Sequence, residues 1–166
     1  AFTVNPYMGV DTLRTFVAGA RPVGAAPFVL VRTSNPGAAD VEDLELAAGG
    51  RVWEAVARIV AELGEPAPGC GLTDVGAVVG ATRPEHLARA RELMPATVFL
   101  LPGIGAQGGR VEDLAPAFAP GRAAGLVTAS RSLAFAHEAA QSAGRRPADA
   151  TRAEAEHLRA AAWALA

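Results

Sequence analysis

Short runs of β-branched and large apolar residues alternate along the chain with longer stretches in which apolar positions recur every three or four residues. Five of the short runs are bounded by glycine or proline and are too brief for helices: "FTVNP" from Phe2, "FVLVRTSNPG" from Phe28, "VGAVVGAT" from Val75, "TVFLLPGIG" from Thr97 and "GLVTASR" from Gly125. They read as nearly continuous hydrophobic strands, which predicts a parallel sheet covered on both faces. The longer stretches predict helices. Asp11–Ala20 carries Leu13, Phe16 and Val17, and Val52–Leu63 sets Val52, Val56, Ile59, Val60 and Leu63 on one stripe. Thr82 and Glu85 have the spacing of a capping box, with Pro84 in the first turn. A short helix is predicted over Val111–Phe118 and another through "SLAFAHEAAQSA". Thr151 and Glu154 repeat the capping pattern ahead of a last amphipathic helix with Leu158, Ala162 and Leu165.

The pattern is β-α five times and then an extra helix, with strand starts near 2, 28, 75, 97 and 125. That is roughly 30 residues per unit, the spacing of βα repeats. A complete five-stranded doubly wound sheet and a piece of a (β/α)8 barrel both fit, since a whole barrel usually needs ~250 residues. Length favours the first; the character of the strand ends favours the second.

Composition narrows the function. With 166 residues, 51% of them hydrophobic, the chain can build a substantial core, and residues 1–166 read as one domain. A formal net charge of -2 with no basic block favours neither nucleic acid nor an anionic membrane as partner. The longest apolar runs, Val98–Leu101 and Ala160–Ala164, fall far short of the ~20 residues of a membrane span. The N-terminus lacks a signal-peptide pattern, and Cys70, the only cysteine, leaves no internal disulfide, so a cytoplasmic location is expected. Cys70 itself reads as a small loop residue. All 15 basic residues are arginine. The absence of lysine excludes from this chain any step that needs one.

In either architecture, function gathers at the C-terminal ends of the strands. These ends are polar or glycine-rich: Asn5-Pro6-Tyr7, Thr33 to Gly37, Gly80-Ala81-Thr82, Pro102 to Gly109, and Ser130-Arg131. Glycines at 105, 108 and 109 would let backbone N–H groups approach an anion. Ser130-Arg131 would open a helix whose N-terminus and guanidinium favour the same charge. Together they make a candidate phosphate site, with tight turns and a surface arginine as the equal alternative. The Thr33–Gly37 loop suits a neutral polar ring such as a nucleobase, or else simply caps the next helix. His86, His137 and His157 lack paired ligand spacing and read as solvated helix positions, so no metal site is expected. Trp53 and Trp163 read as core residues. Glu42, Asp43, Glu45, Glu112 and Asp113 read as first-turn charges near helix N-termini.

The motifs "TVNPYMGVDTL", "VLVRTSNPGAADVEDL", "VGAVVGATRPEHL", "LLPGIGAQGG" and "VTASRSL", in this order, resemble the C-terminal part of orotidine 5'-phosphate decarboxylases, in particular the bacterial subgroup common among actinobacteria. The resemblance runs from Ala1 to about His137; residues 138–166 match only as a helical tail. It implies a (β/α)8 TIM barrel of which this chain supplies strands four to eight, usually in a homodimer. It also implies conversion of orotidine 5'-phosphate to uridine 5'-phosphate without metal or organic cofactor. By the same resemblance Gln107 contacts phosphate and pyrimidine, Gly108 belongs to the phosphate loop and Arg131 clamps the phosphate. Ser34 hydrogen-bonds the base, Pro102 and Ile104 form an apolar wall near the leaving carboxylate, and Asn5 lines the pocket. The family's Asp-x-Lys-x-x-Asp motif, whose lysine protonates C6, is absent here and is expected in an N-terminal segment or a companion chain. A non-catalytic nucleotide- or phosphosugar-binding module, or an inactive remnant, stands as the alternative.

Overall fold

The computed structural model describes residues 1–105 and 107–166. Its centre is a parallel sheet of β1 (Phe2–Val4), β2 (Pro27–Arg32), β3 (Gly76–Val79), β4 (Phe99–Leu101) and β5 (Gly125–Val127), hydrogen-bonded in the order β1-β2-β3-β4-β5. Between the strands run α1 (Val10–Ala20), α2 (Val52–Leu63) and α3 (Pro84–Leu93), then a 3-10 stretch over Val111–Phe118. After β5 come the single turn α4 (Arg131–Ala134), two short 3-10 turns and α5 (Pro147–Trp163).

Strand order separates the two architectures. Crossovers between parallel strands share one hand, so a sheet whose neighbours follow chain order carries all its connections on one face. A doubly wound sheet must reverse direction at a switch point, and this one does not. The sheet is therefore a run of barrel-type βα units. Side chains agree: Val29, Val31, Val75, Ala77, Val79, Phe99 and Leu101 point to the helices and are buried with Leu13, Val17, Trp53, Ala57, Val60, Leu87 and Met94. The opposite face is less covered, and Leu126 on the edge strand β5 is 45% exposed. The expectation of a sheet covered on both faces holds only for the helix side.

Sequence expectations fail where the apolar period is three. Val111, Leu114 and Ala117 are buried, and that repeat suits a 3-10 stretch because residues three apart eclipse there. The same spacing of Leu133, Ala136, Ala139 and Ser142 breaks the predicted helix after β5 into short turns. Neither capping box forms. Pro84 occupies the first helical position of α3, so the cap falls on Arg83, and α5 starts at Pro147, leaving the Thr151 hydroxyl to donate to the Leu133 carbonyl. Trp163 is not core: it is 45% exposed, with Arg122 and Arg159 over its ring at 5.5 and 5.2 Å.

One buried cation ties the later units together. The Arg91 guanidinium on α3 donates to the carbonyls of Met94, Thr97 and Ala117 at 2.9, 2.8 and 2.7 Å and lies 3.8 Å over the Phe99 ring. Burial pushes it down to about 10, so it remains protonated at neutral pH. No helix among the described residues is long and apolar enough to cross a membrane.

Candidate functional site

The C-terminal ends of β2, β3 and β4 meet at one bare α-carbon. Gly103 has φ of 109°, a conformation that L side chains rarely adopt. A Cβ placed there would lie 3.0 Å from Ser34 Cβ, 3.1 Å from Thr82 Cγ2 and 3.2 Å from Gln107 Oε1. Gly80 gives the same clearance one layer below, where a Cβ would stand 2.8 Å from Ser34 Cα. The missing side chains let the loops after three strands close on one another, and they bring Ser34 and Gln107 together.

The loop after β4 is a closed ring. Gly105 N–H donates to Gly109 O at 3.0 Å, Gly108 N–H to Gly105 O at 2.8 Å and Gly109 N–H to Gly103 O at 3.0 Å. These three N–H groups, expected to face an anion, are used within the loop. Glycine at 105 and 108 serves the turn instead, with φ of 78° and 92°. The anticipated helix N-terminus is also reduced, because α4 is four residues long and a macrodipole needs more turns than one. What remains for an anion is the exposed Arg131 guanidinium, which has no carboxylate within 4.0 Å among the described residues, and the Gln107 amide.

Two hollows flank Gln107. One, of about 140 Å³, is lined by Pro102, Ile104, Gln107, Thr128, Ser130 and Arg131. The other, of about 240 Å³, is lined by Arg32, Ser34, Asn35, Thr82, Arg83 and Gln107. Gln107 belongs to both, so a single amide separates the recess of Arg131, unpaired among the described residues, from one lined by Ser34, Asn35, Thr82 and two arginines that are paired with carboxylates, Arg32 and Arg83. Pro102 and Ile104 lie on the Arg131 side. Asn5 stands apart in a third hollow of about 290 Å³ with Tyr7, Leu30, Glu42 and Trp53, and its Oδ1 accepts from Tyr7 N at 2.9 Å. That is a local Asx turn rather than an amide free for a ligand.

Sequence reading missed the charges beneath the Ser34 loop. Arg32, only 6% exposed, donates through Nε and Nη2 to both oxygens of Asp43 at 3.0 and 2.9 Å. Its Nη1 reaches Glu42 at 3.3 Å and the Thr33 carbonyl at 2.6 Å. Glu42 and Asp43 are thus partners of a buried guanidinium, not helix-terminal charges. Burial disfavours the charged form of Asp43, but the Arg32 hydrogen bonds and charge outweigh it and hold the carboxyl below its usual range. Next to this pair, His86 packs on Trp53 with ring centroids 5.5 Å apart, so it is not a solvated position. Burial and the Arg32 charge push its pKa down. A possible sequence signal was the pair of acids ten residues after a strand-end arginine. Among the described residues no group of three His, Cys, Asp or Glu side chains is placed to hold a metal.

Residues 1–145 match the sequence profile of the Orotidine 5'-phosphate decarboxylase / HUMPS family. The chain belongs to that family. It is 48% identical over 157 residues to the orotidine 5'-phosphate decarboxylase of Deinococcus radiodurans, covering 93% of this chain and 55% of that protein. With the enzyme of the same name from Rhodopirellula baltica the identity is 44% over 141 residues, covering 83% of this chain and 46% of the relative. Among solved structures, the OMP decarboxylase of Leishmania donovani superposes with a TM-score of 0.67 at 34% identity, over 96% of this chain and 56% of that one. The chain therefore spans about half the length of the curated relatives it matches. Its five sequential βα units are part of the (β/α)8 barrel of the orotidine 5'-phosphate decarboxylase family.

Proposed function

We propose that the protein to which this chain belongs decarboxylates orotidine 5'-phosphate to uridine 5'-phosphate, the last step of pyrimidine nucleotide synthesis, and that this chain supplies the grip on phosphate and base. The observation that carries the reading is the meeting of Ser34 and Gln107 across Gly103, beside a recess that ends in Arg131. In this reading Arg131 binds the phosphate dianion through charged hydrogen bonds, and the Gln107 amide spans the two hollows to touch both phosphate and pyrimidine. The Ser34 hydroxyl meets the polar edge of the base. Pro102 and Ile104 present apolar surface to the carboxylate, which desolvates that charge and favours its loss as neutral carbon dioxide. Gly108 shapes the loop that presents Gln107, while Asn5, turned onto Tyr7 N in a separate hollow, takes no part in this grip.

Loss of carbon dioxide leaves an electron pair on C6 that needs a proton. This chain has no lysine to deliver it, and Glu42 and Asp43 are bound to Arg32. We assign the proton donor to the Asp-x-Lys-x-x-Asp strand end of a companion segment, which also closes the barrel against the open edges β1 and β5. Exposed apolar residues at the rim, Tyr7 and Met8 at 89% and 74%, support contact with further chain in a homodimer. The single cysteine fits a reducing cytoplasm. A module that binds nucleotide without chemistry is the second reading, because the grip of Ser34, Gln107 and Arg131 would serve it equally.

Replacing Arg131 by Ala in the full-length protein tests the grip. Affinity for uridine 5'-phosphate is expected to fall by about 1.5–3 kcal/mol, the scale of a charged hydrogen bond. Unchanged affinity in a calorimetric titration would remove Arg131 from the site.

A further inference from the structure

The loop that carries Ser34 leaves the sheet at an irregularity. Parallel pairing of β2 with β3 slips between Leu30 and Arg32 and resumes with Arg32 opposite Val79, where Gly80 N–H donates to Arg32 O at 2.7 Å. Such a slip leaves Val31 without a partner and re-aims the side chains that follow it, and β2 ends at Arg32, so Thr33 lies beyond the ladder. Thr33 must then find other partners for its backbone groups. It finds them in side chains. Its N–H donates to Glu42 Oε2 at 2.9 Å, its carbonyl accepts from Arg32 Nη1 at 2.6 Å, and its hydroxyl has two acceptors for its one proton, Glu42 Oε1 at 2.8 Å and Asn35 Oδ1 at 2.7 Å. The backbone N–H and carbonyl of Thr33 are thus fixed by Glu42 and Arg32, and its hydroxyl is shared between Glu42 and Asn35; none of the three lines the recess around Arg131. The Thr33 carbonyl belongs to the peptide plane that leads into Ser34, so fixing it fixes where Ser34 begins.

Resting on the nucleotide reading above, we propose that Glu42 and Arg32 are positioning residues. They clamp Thr33 so that the Ser34 hydroxyl is held over Gly103 and against the base, and they set the preference of the site for a pyrimidine nucleotide over a bare sugar phosphate. The clamp acts on the base side only. The recess of Gln107 and Arg131 is built from the ends of β4 and β5, and the bonds that close the loop after β4 run within that loop. A residue that merely braces the fold would weaken both halves of the ligand alike; a clamp on Ser34 weakens one.

The test compares two probes, uridine 5'-phosphate and ribose 5-phosphate, by calorimetry on the full-length protein and on Glu42→Gln, Thr33→Val and Thr33→Ser. Gln is the same size as Glu but cannot accept both the N–H and the hydroxyl of Thr33 while facing Arg32; Val removes the hydroxyl; Ser restores it. The expected result is a rise of about tenfold in the Kd for uridine 5'-phosphate in Glu42→Gln and Thr33→Val, the scale of one lost hydrogen bond. Ribose 5-phosphate should bind those variants within about twofold of the parent, and Thr33→Ser should keep the parent's preference. If Glu42→Gln does not fold, Thr33→Val and Thr33→Ser decide. Equal loss of both probes, or loss of neither, in folded variants overturns the clamp while leaving the nucleotide reading intact. A parent protein that binds uridine 5'-phosphate no more tightly than ribose 5-phosphate overturns the base grip itself, and the clamp with it.

Discussion

Gly103 concentrates the geometry of the site in one position. An alanine there meets both a left-handed backbone and the side chains of Ser34, Thr82 and Gln107 at 3.0–3.2 Å. Gly103→Ala is expected to cost about 1–3 kcal/mol of stability in urea unfolding, the scale of a strained residue, and to weaken uridine 5'-phosphate binding as well. His86 gives a pH dependence whose sign follows from its burial. Its folded pKa lies below the usual ~6.5, so as pH falls past that value the unfolded chain takes the proton first. The contribution of His86 is complete above ~6.5 and is lost as pH falls toward its folded pKa. His86→Phe keeps the stack on Trp53 and removes the titration. Urea midpoints at pH 7.5 and 5.5 should therefore drop less in the variant than in the parent, and equal drops would contradict the assignment. At this scale the residues proposed for the grip are more legible in the chain than their supports. Ser34, Gln107 and Arg131 stand out because strand ends and glycines mark them. The roles of Glu42 and Asp43 depend on a loop folding back on Arg32, which no local pattern announces. The glycine N–H groups were misassigned because composition reveals that a turn is tight but not where its donors point.

Elements were legible where an apolar stripe of helical period or a dense β-branched run specified them. α2 begins and ends at the residues its stripe defines, four of the five strands fall inside the expected runs, and β2 starts one residue early at Pro27. The misread stretches after β4 and β5 have a period of three, which a search for 3.6 absorbs into helix. Arg91 was invisible for another reason: its acceptors are backbone carbonyls, which have no letter in the sequence. It joins α3, the segment entering β4 and the 3-10 stretch that packs behind the glycine loop. Arg91→Met should leave those carbonyls buried without donors and cost about 3–5 kcal/mol, as breaking a buried charged network does. Arg91→Lys should recover only part of this, because a point charge cannot reproduce the planar fork. Chemical denaturation of both variants measures the difference, and a Lys variant as stable as the parent would show that the fork is not needed.

The whole molecule is an open run of barrel units whose strand order excludes a doubly wound sheet. Length argued the other way in the sequence, because 166 residues suffice for a complete five-stranded domain. Topology decides because five strands fit either fold and only their order separates the two. The polar strand ends all lie at one end of this parallel sheet, so every residue of the proposed grip on phosphate and base comes from the same side of the molecule. The most direct measurement is release of carbon dioxide from carboxyl-labelled orotidine 5'-phosphate by the full-length protein, followed together with formation of uridine 5'-phosphate. The account predicts stoichiometric release that collapses in Arg131→Ala. Tight binding of uridine 5'-phosphate with no carbon dioxide released would contradict it and leave a binding module in its place.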